Sequence, residues 1–516
     1  MAEDLLRMEG IVKIYSNGVV ANNGVDFSVK AGEIHALVGE NGAGKTTLMK
    51  ILFGIEEATS GNLLLNGLRE TIKSPIDAIQ KGLGMVHQHF MLIESMTVAE
   101  NIVLGMEPET GLLLNQKKIL SDARNIIEKY NFPINPQDRI RDLPTGTRQK
   151  VEILKALFRN ARILILDEPT SVLTPQETTE LFEQLKTLKN LGHTIIFISH
   201  KLNEIKEICD RITIMRNAAT VGVYEVAKIS QQEISSLMVG KDIDLNLNKT
   251  PARPGETALR VRDLVVTDIN KRRLLESVSF RLRRGEILGI VGVEGNGQRE
   301  LVESITGLRK PEGGKVELWG KDLTSLSIKG IRRLGLAHIP QDRMSKGAAL
   351  TSSIKENLIS VAYDSPELSR GPLLNLKKID RWCRDLIRDY QIKASSPEVP
   401  VKMLSGGNIQ KVVVAREFSG DLGCIIADQP TRGIDVGAAS FIHHKLLALR
   451  DSGAAILLIS ADLSEVMELS DSLLVMFGGR LAAYFESLSS VTEEELGLYM
   501  LGLKRQSDEE IKRCSA

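Results

Sequence analysis

Short unbroken apolar runs punctuate the chain, each closed by a polar turn and followed by helical spacing. IHALV before Gly39, ILILD ending at Asp167 and IIFIS ending at Ser199 are too apolar to alternate, so they read as buried parallel strands with helices on both faces. GNLLLNG and GKVELWG, ending at Gly67 and Gly320, read as hairpin strands of a small antiparallel sheet. From about Ser95 to Asn160, and again from Ser352 to Gly420, the spacing is helical. The predicted class is α/β: a mostly parallel core sheet with a small antiparallel β-subdomain and a helical subdomain.

The pattern is written twice. GEIHALVGENGAG from Gly32 recurs as GEILGIVGVEGNG from Gly285, LDEPTSVLT recurs as ADQPTRGID, and LMVG at Leu237 is echoed by YMLG at Tyr499. A repeat this long is a tandem domain duplication, since solenoid units run to about 20–50 residues. We divide the chain into a first domain over 1–240, a linker over 241–256 where proline, asparagine and charge interrupt the apolar pattern, a second domain over 257–502, and a polar tail over 503–516. The tail, KRQSDEEIKRCSA from Lys504, reads as a solvated helix end or a disordered segment.

Composition removes several classes. The 516 residues carry 66 Lys and Arg against 66 Asp and Glu, so no net charge advertises a nucleic-acid or anionic-membrane partner. Cys209, Cys383, Cys424 and Cys514 lack C-x-x-C spacing, which argues against a zinc or iron–sulfur site and fits a reducing compartment. No run reaches the roughly 18 apolar residues of a membrane span, and the first residues show no signal-peptide pattern.

The candidate chemistry centres on GENGAGKT, which comprises Gly39, Glu40, Asn41, Gly42, Ala43, Gly44, Lys45 and Thr46, followed by Thr47. It fits G-x-x-x-x-G-K-[ST] between a strand and a helix, the context a phosphate-binding loop requires. Glycines let successive N–H groups turn around an anion and the helix adds its positive end, while Lys45 reaches the terminal phosphates and Thr46 can ligate magnesium.

On these residues the chain resembles the ATP-binding-cassette family over essentially its whole length. Tyr15 matches the aromatic that stacks on adenine, Gln88 in MVHQHF the Q-loop, Asp167 and Glu168 the Walker B pair, and His200 in FISH the switch histidine. The resemblance implies ATP and Mg2+ as cofactors. Thr46, Gln88 and Asp167 serve the metal, Glu168 polarises the attacking water, and His200 senses or stabilises the γ-phosphate.

The two halves are damaged in complementary places. The family signature LSGGQ, supplied across a dimer interface in such proteins, stands in the second half as LSGGN, with Ser405, Gly406, Gly407 and Asn408. The first half has LPTGT instead, with Pro144 for the serine and Thr145 for the first glycine. The second half has Gln298 for the loop lysine, Arg299 for the hydroxyl, Gln429 for the glutamate, Ala461 for the histidine and no aromatic at the adenine position; Gln341 and Asp428 remain. The expectation is one competent composite site, with catalysis carried by Lys45, Gln88, Glu168 and His200.

Two fused cassettes with PTRGIDVGA after the second Walker B resemble the ATPase subunit of bacterial simple-sugar and nucleoside importers, leaning to the nucleoside branch. That resemblance implies two integral membrane permease subunits, an extracytoplasmic substrate-binding lipoprotein, no nucleic acid, and a peripheral place on the cytoplasmic face of the membrane. Nucleosides are the first expected cargo, simple sugars the second, with a vitamin such as riboflavin also open. The alternatives are a tandem-cassette factor acting on ribosomes, disfavoured by the short linker and the broken site, and a regulator without turnover, disfavoured by Glu168 and His200. His87 and His89 flank Gln88 without a third metal ligand, so loop packing or permease contact is expected; His443 and His444 fall on a helical stretch as surface or core residues.

Overall fold

The computed structural model describes every residue except 1–3, 17, 41, 88, 89, 111, 112, 171, 172, 200, 241–246, 248, 372, 421 and 516. The chain forms two compact units, residues 1–243 and 244–516.

In the first unit, six strands lie in the order Ala219–Glu225, Arg211–Arg216, Ile34–Gly39, Thr194–Ile198, Ile163–Asp167 and Leu83–Val86. All pairs are parallel except the edge hairpin Arg211–Arg216 with Ala219–Glu225. The three runs named from the sequence are the inner strands, and their registers pair Ile198 with both Leu37 and Asp167, and Met215 with Gly39. Gly39 and Asp167 therefore end their strands at the same edge of the sheet, where open α/β sheets bind ligands. Beside this sheet, Asp4–Ile14, Val20–Lys30, Ser60–Leu65 and Leu68–Glu70 make a four-stranded antiparallel sheet. Leu6, Met8, Phe27 and Leu63 of the antiparallel strands share a buried core with Leu37, Ile165 and Leu48. That packing fixes the hairpin strands against the loop helix.

The helical stretch resolves into Val98–Val103, Gln116–Lys129 and Thr145–Phe158, with a short hairpin, Glu109–Thr110 with Leu113–Leu114, that the sequence pattern did not show. Thr97 and Glu100 open the first of these helices with a reciprocal capping box.

The second unit repeats the plan: a six-stranded sheet in the order Leu336–Ile339, Cys424–Asp428, Ala455–Ile459, Ile287–Val291, Ser472–Phe477 and Arg480–Phe485, and an antiparallel sheet of Arg273–Arg283, Thr257–Thr267, Gly313–Leu318 and Lys321–Asp322. Part of the expected linker is tied to it. Arg450, only 1% exposed, donates to the carbonyl and hydroxyl of Thr250 and pairs with Asp471, while Lys249 also reaches Asp471. Residues 241–246 and 248 of that linker lie outside the described residues.

The tail is a helix end, as one of the two expected forms has it, and mostly exposed, but it is not wholly solvated. Ser507 and Glu510 cap a helix, Asp508–Lys512, whose Ile511 and following Cys514 enter the core beneath the antiparallel sheet. Arg281 N–H donates to the Cys514 carbonyl at 2.8 Å, so the segment is pinned to the strand Arg273–Arg283.

Candidate nucleotide-binding site

The strand Ile34–Gly39 is buried along its length and delivers the loop to the N-terminus of the helix Lys45–Leu52. Gly42 and Gly44 take φ of 86° and 96°, a left-handed conformation that a side chain resists, and a Cβ on Gly44 would lie 2.3 Å from the Ala21 carbonyl oxygen. The loop can therefore turn its N–H groups toward one point only with glycine at these places. Lys45 Nζ donates to the carbonyls of Gly39, at 2.6 Å, and Glu40, at 3.1 Å, and so lies across the loop it serves. Thr46 is exposed in the first helical turn, and Ala43 N–H closes the loop on the Glu40 carbonyl at 3.0 Å. Tyr15 is half-buried in the hairpin turn between the first two strands, with the Lys13 ammonium 5.2 Å from its ring centre.

Asp167 closes its strand and is partly buried. Burial, reinforced by the neighbouring Glu168, pushes its carboxyl up to about 6 despite Lys45 and Lys50 nearby. Glu168 has φ 48°, and its N–H donates to the Ile198 carbonyl at 2.9 Å. Such a backbone costs about 1–3 kcal/mol and is typical of functional positions. Thr46 and Asp167 offer only oxygen donors, the chemistry magnesium prefers, and a carboxylate destabilised by burial is the group a divalent cation neutralises. Asn41, Gln88, His89 and His200 lie outside the described residues. His87 is half-buried, its imidazole held below the ordinary range by burial and by Lys50.

The sequence reading missed Glu204. Its buried carboxylate accepts from Thr170 Oγ1 at 2.7 Å and Ser199 Oγ at 3.0 Å, linking the turn after Glu168 to the segment that leads to position 200. Thr431 and Glu465 repeat the bond in the second unit at 2.6 Å, and there His443 joins it at 2.8 Å. Burial opposes a charge on His443, but Glu465 outweighs it and holds the imidazole above its ordinary value. His443 is thus a half-buried partner of a carboxylate, whereas His444 is exposed.

The degenerate loop keeps the backbone and changes the chemistry. Gly295 and Gly297 have φ of 93° and 103°, and Gly297 caps the helix Gln298–Ile305 as Gly44 caps its own. Gln298 Nε2 donates to the Val293 carbonyl at 3.3 Å, filling the lysine's place with an uncharged amide. Arg299 is drawn away into a cluster in which Glu303 also meets Arg309 and Lys346. Asp428 is more buried than Asp167, and burial pushes it up to about 7 although the Gln341 N–H, Arg432, Lys346 and Arg299 oppose the rise.

The two signature segments also differ in their helix starts. Ser405 caps the helix Gly406–Glu417, its Oγ accepting from Asn408 N–H and from Asn408 Nδ2 at 2.9 Å. A Cβ on Gly407 would lie 2.6 Å from Asp435 Oδ2, so the second glycine is a packing requirement. In the first unit Pro144 caps the helix Thr145–Phe158 without a side-chain bond, and the Gly146 N–H is taken by Glu177 Oε1 at 3.0 Å. A carboxylate at that helix start disfavours a second anion.

Comparison with known proteins agrees with this geometry. The ABC transporter family model matches residues 22–171 and 275–432. The chain is 40% identical, over 97% of its length and 98% of the relative's, to the nucleoside import ATP-binding protein NupA of Lactococcus lactis subsp. cremoris. It is 42% identical, with the same coverage, to the guanosine import ATP-binding protein NupO of Bacillus subtilis. Identity to the ribose import ATP-binding protein RbsA of Chromobacterium violaceum is 38%, over 93% of this chain and 94% of that one. Among solved structures, an archaeal ribosome recycling factor crystallised with the ribosomal stalk protein aP1 gives a TM-score of 0.59 at 21% identity, over 92% of this chain and 90% of that one, a likeness of fold alone. With the family model matched in both units and identities of 40% and 42% across nearly the whole of both chains, this chain belongs to the ABC transporter ATPases.

Proposed function

We propose that this chain is the ATP-hydrolysing subunit of an importer for nucleosides, with simple sugars as the second cargo class. The observation that carries the reading is the identity of 40% and 42%, over nearly the full length of both chains, to ATP-binding proteins named for nucleoside and guanosine import. No helix among the described residues is long and apolar enough to cross a membrane. Transport through a bilayer then requires separate permease subunits, two by family resemblance, with the chain peripheral on the cytoplasmic face and a substrate-binding lipoprotein beyond the membrane.

Hydrolysis uses the first unit's loop, with Lys45 on the terminal phosphates, Glu168 orienting water and His200 at the γ-phosphate. Mg2+, held by Thr46, Gln88 and Asp167, would neutralise phosphate charge. Ser405, Gly406, Gly407 and Asn408 would carry the family signature. Tyr15 would stack on the adenine.

The test is uptake by cells lacking the chain. Labelled guanosine uptake is expected to fall to background and to return with the wild-type gene but not with Glu168→Gln, while ribose uptake is unchanged. Loss of ribose uptake alone would move the cargo to sugars. Unchanged uptake of both, with ribosomal RNA and no membrane protein co-purifying with the chain, would overturn the importer reading.

A further inference from the structure

Asn22, on the strand Val20–Lys30, is fully buried behind the phosphate loop. Its Nδ2 donates to the Gly44 carbonyl at 3.2 Å, and its Oδ1 meets no hydrogen-bond donor among the described residues. The carbonyl can only accept, so the amide must turn its nitrogen toward it. An acceptor left bare in a core opposes folding.

The second unit places a different residue at the same point. Leu275, on the strand Arg273–Arg283, is also fully buried, and its Cδ2 lies 2.6 Å from where a Cβ on Gly297 would stand. Asn22 Nδ2 lies at the same 2.6 Å from the Cβ position on Gly44. Both glycines cap loop helices in the same conformation. The fold therefore accepts leucine behind this loop, and the amide is not needed to build it. The half with the lysine has the asparagine; the half without the lysine has the leucine.

We propose that Asn22 is a positioning residue for ATP binding, holding the Gly44–Lys45 peptide so that its N–H faces the bound phosphates. The peptide is planar and trans, so its carbonyl and N–H point in opposite directions. The Gly44 carbonyl already accepts from Leu48 N–H at 2.9 Å within the helix. The second donor from Asn22 comes from outside the helix and restrains rotation of the peptide that carries the Lys45 N–H. In the second unit the Gly297 carbonyl accepts from Leu301 N–H at 3.0 Å, and Leu275, at the point where Asn22 stands in the first unit, has no donor to offer it.

The inference rests on the first unit's loop being the ATP site, and the experiment separates the two. In the full-length chain, Asn22→Leu and Asn22→Ala are compared with wild type and with Lys45→Ala for ATP turnover and for affinity of a fluorescent ATP analogue. For Asn22→Leu, KM and the analogue Kd are expected to rise roughly fivefold, the worth of one neutral hydrogen bond. kcat should change less than twofold, and the thermal midpoint without nucleotide should equal or exceed that of wild type. Asn22→Ala should show the same rise in KM with a lower midpoint. A folded Asn22→Leu protein with unchanged KM and Kd overturns the proposal, as does a lowered midpoint with affinity intact. If wild type and Lys45→Ala bind the analogue equally, the assignment of the ATP site itself has failed.

Discussion

Glu168 and Gln429 hold the same left-handed backbone, φ 48° and 52°, and each N–H donates to the last carbonyl of the neighbouring strand, Ile198 at 2.9 Å and Ile459 at 2.8 Å. In the second unit the strained turn persists although the residue cannot act as a base, and Gln429 Oε1 accepts from Ala461 N–H at 3.2 Å. Geometry at this corner is set by the sheet; the chemistry is set by one atom of one side chain.

From that pair follows the first prediction. Glu168→Gln retains the backbone and removes the charge, so steady-state phosphate release should drop roughly 100-fold or more while ATP binding persists. Gln429→Ala should leave turnover within twofold of wild type. A folded Gln429→Ala protein without activity would sink the asymmetric assignment.

Asp428 gives a pH signature. Its carboxyl, 3.8 in the reference state, rises to about 7 in the fold through burial. The folded state therefore binds more protons than the unfolded state between these values, and stability falls as pH climbs from about 4 to about 7, by about 4 kcal/mol if fully expressed. Asp428→Asn should melt several degrees above wild type at pH 8, and the gap should close as pH drops toward 4. A gap independent of pH would assign the gain to packing instead.

Ser405 and Pro144 occupy the same cap position with opposite consequences. Ser405→Ala should cost about 1 kcal/mol of helix stability and reduce turnover roughly tenfold or more. Pro144→Ser should leave turnover unchanged, because the Gly146 N–H remains committed to Glu177. Phosphate release from the two purified variants decides the matter.

The tail offers a stability test. Removing residues 505–516 strips Ile511 and Cys514 from the second unit's core and frees the Arg281 N–H. The expected loss is several kcal/mol, by analogy with large-to-small core changes of roughly 2–5 kcal/mol each, read as a lower thermal midpoint of that unit. Cys514, pushed up to about 12 by burial, should resist alkylation in the intact chain and react once the tail is melted.

The core strands were readable because parallel strands covered on both faces leave continuous apolar runs, as ILILD does before Asp167. The two-residue strands Glu109–Thr110 and Leu113–Leu114 were not, since so short a pair has no periodicity. The tail carried a readable signal that charge obscured: Ser507 and Glu510 stand three apart as a capping box, and Ile511 and Cys514 lie three apart on one face. Glu204 and Asn22 were invisible for a different reason. Their partners, Thr170 and Gly44, lie 34 and 22 residues away, and only the folded sheets bring them together.

The uncharged amide of Gln298 bears on the thermodynamics of accumulation. If hydrolysis is confined to the loop that holds Lys45, each round of opening and closing consumes one ATP rather than two. Concentrating a neutral solute tenfold takes about 1.4 kcal/mol, so the steepest gradient such a machine can sustain is fixed by a single phosphoanhydride bond. A tightly coupled machine consuming two ATP per solute could sustain, in principle, the square of that concentration ratio. On that condition, the losses gathered in the second unit trade ultimate scavenging depth for fuel economy.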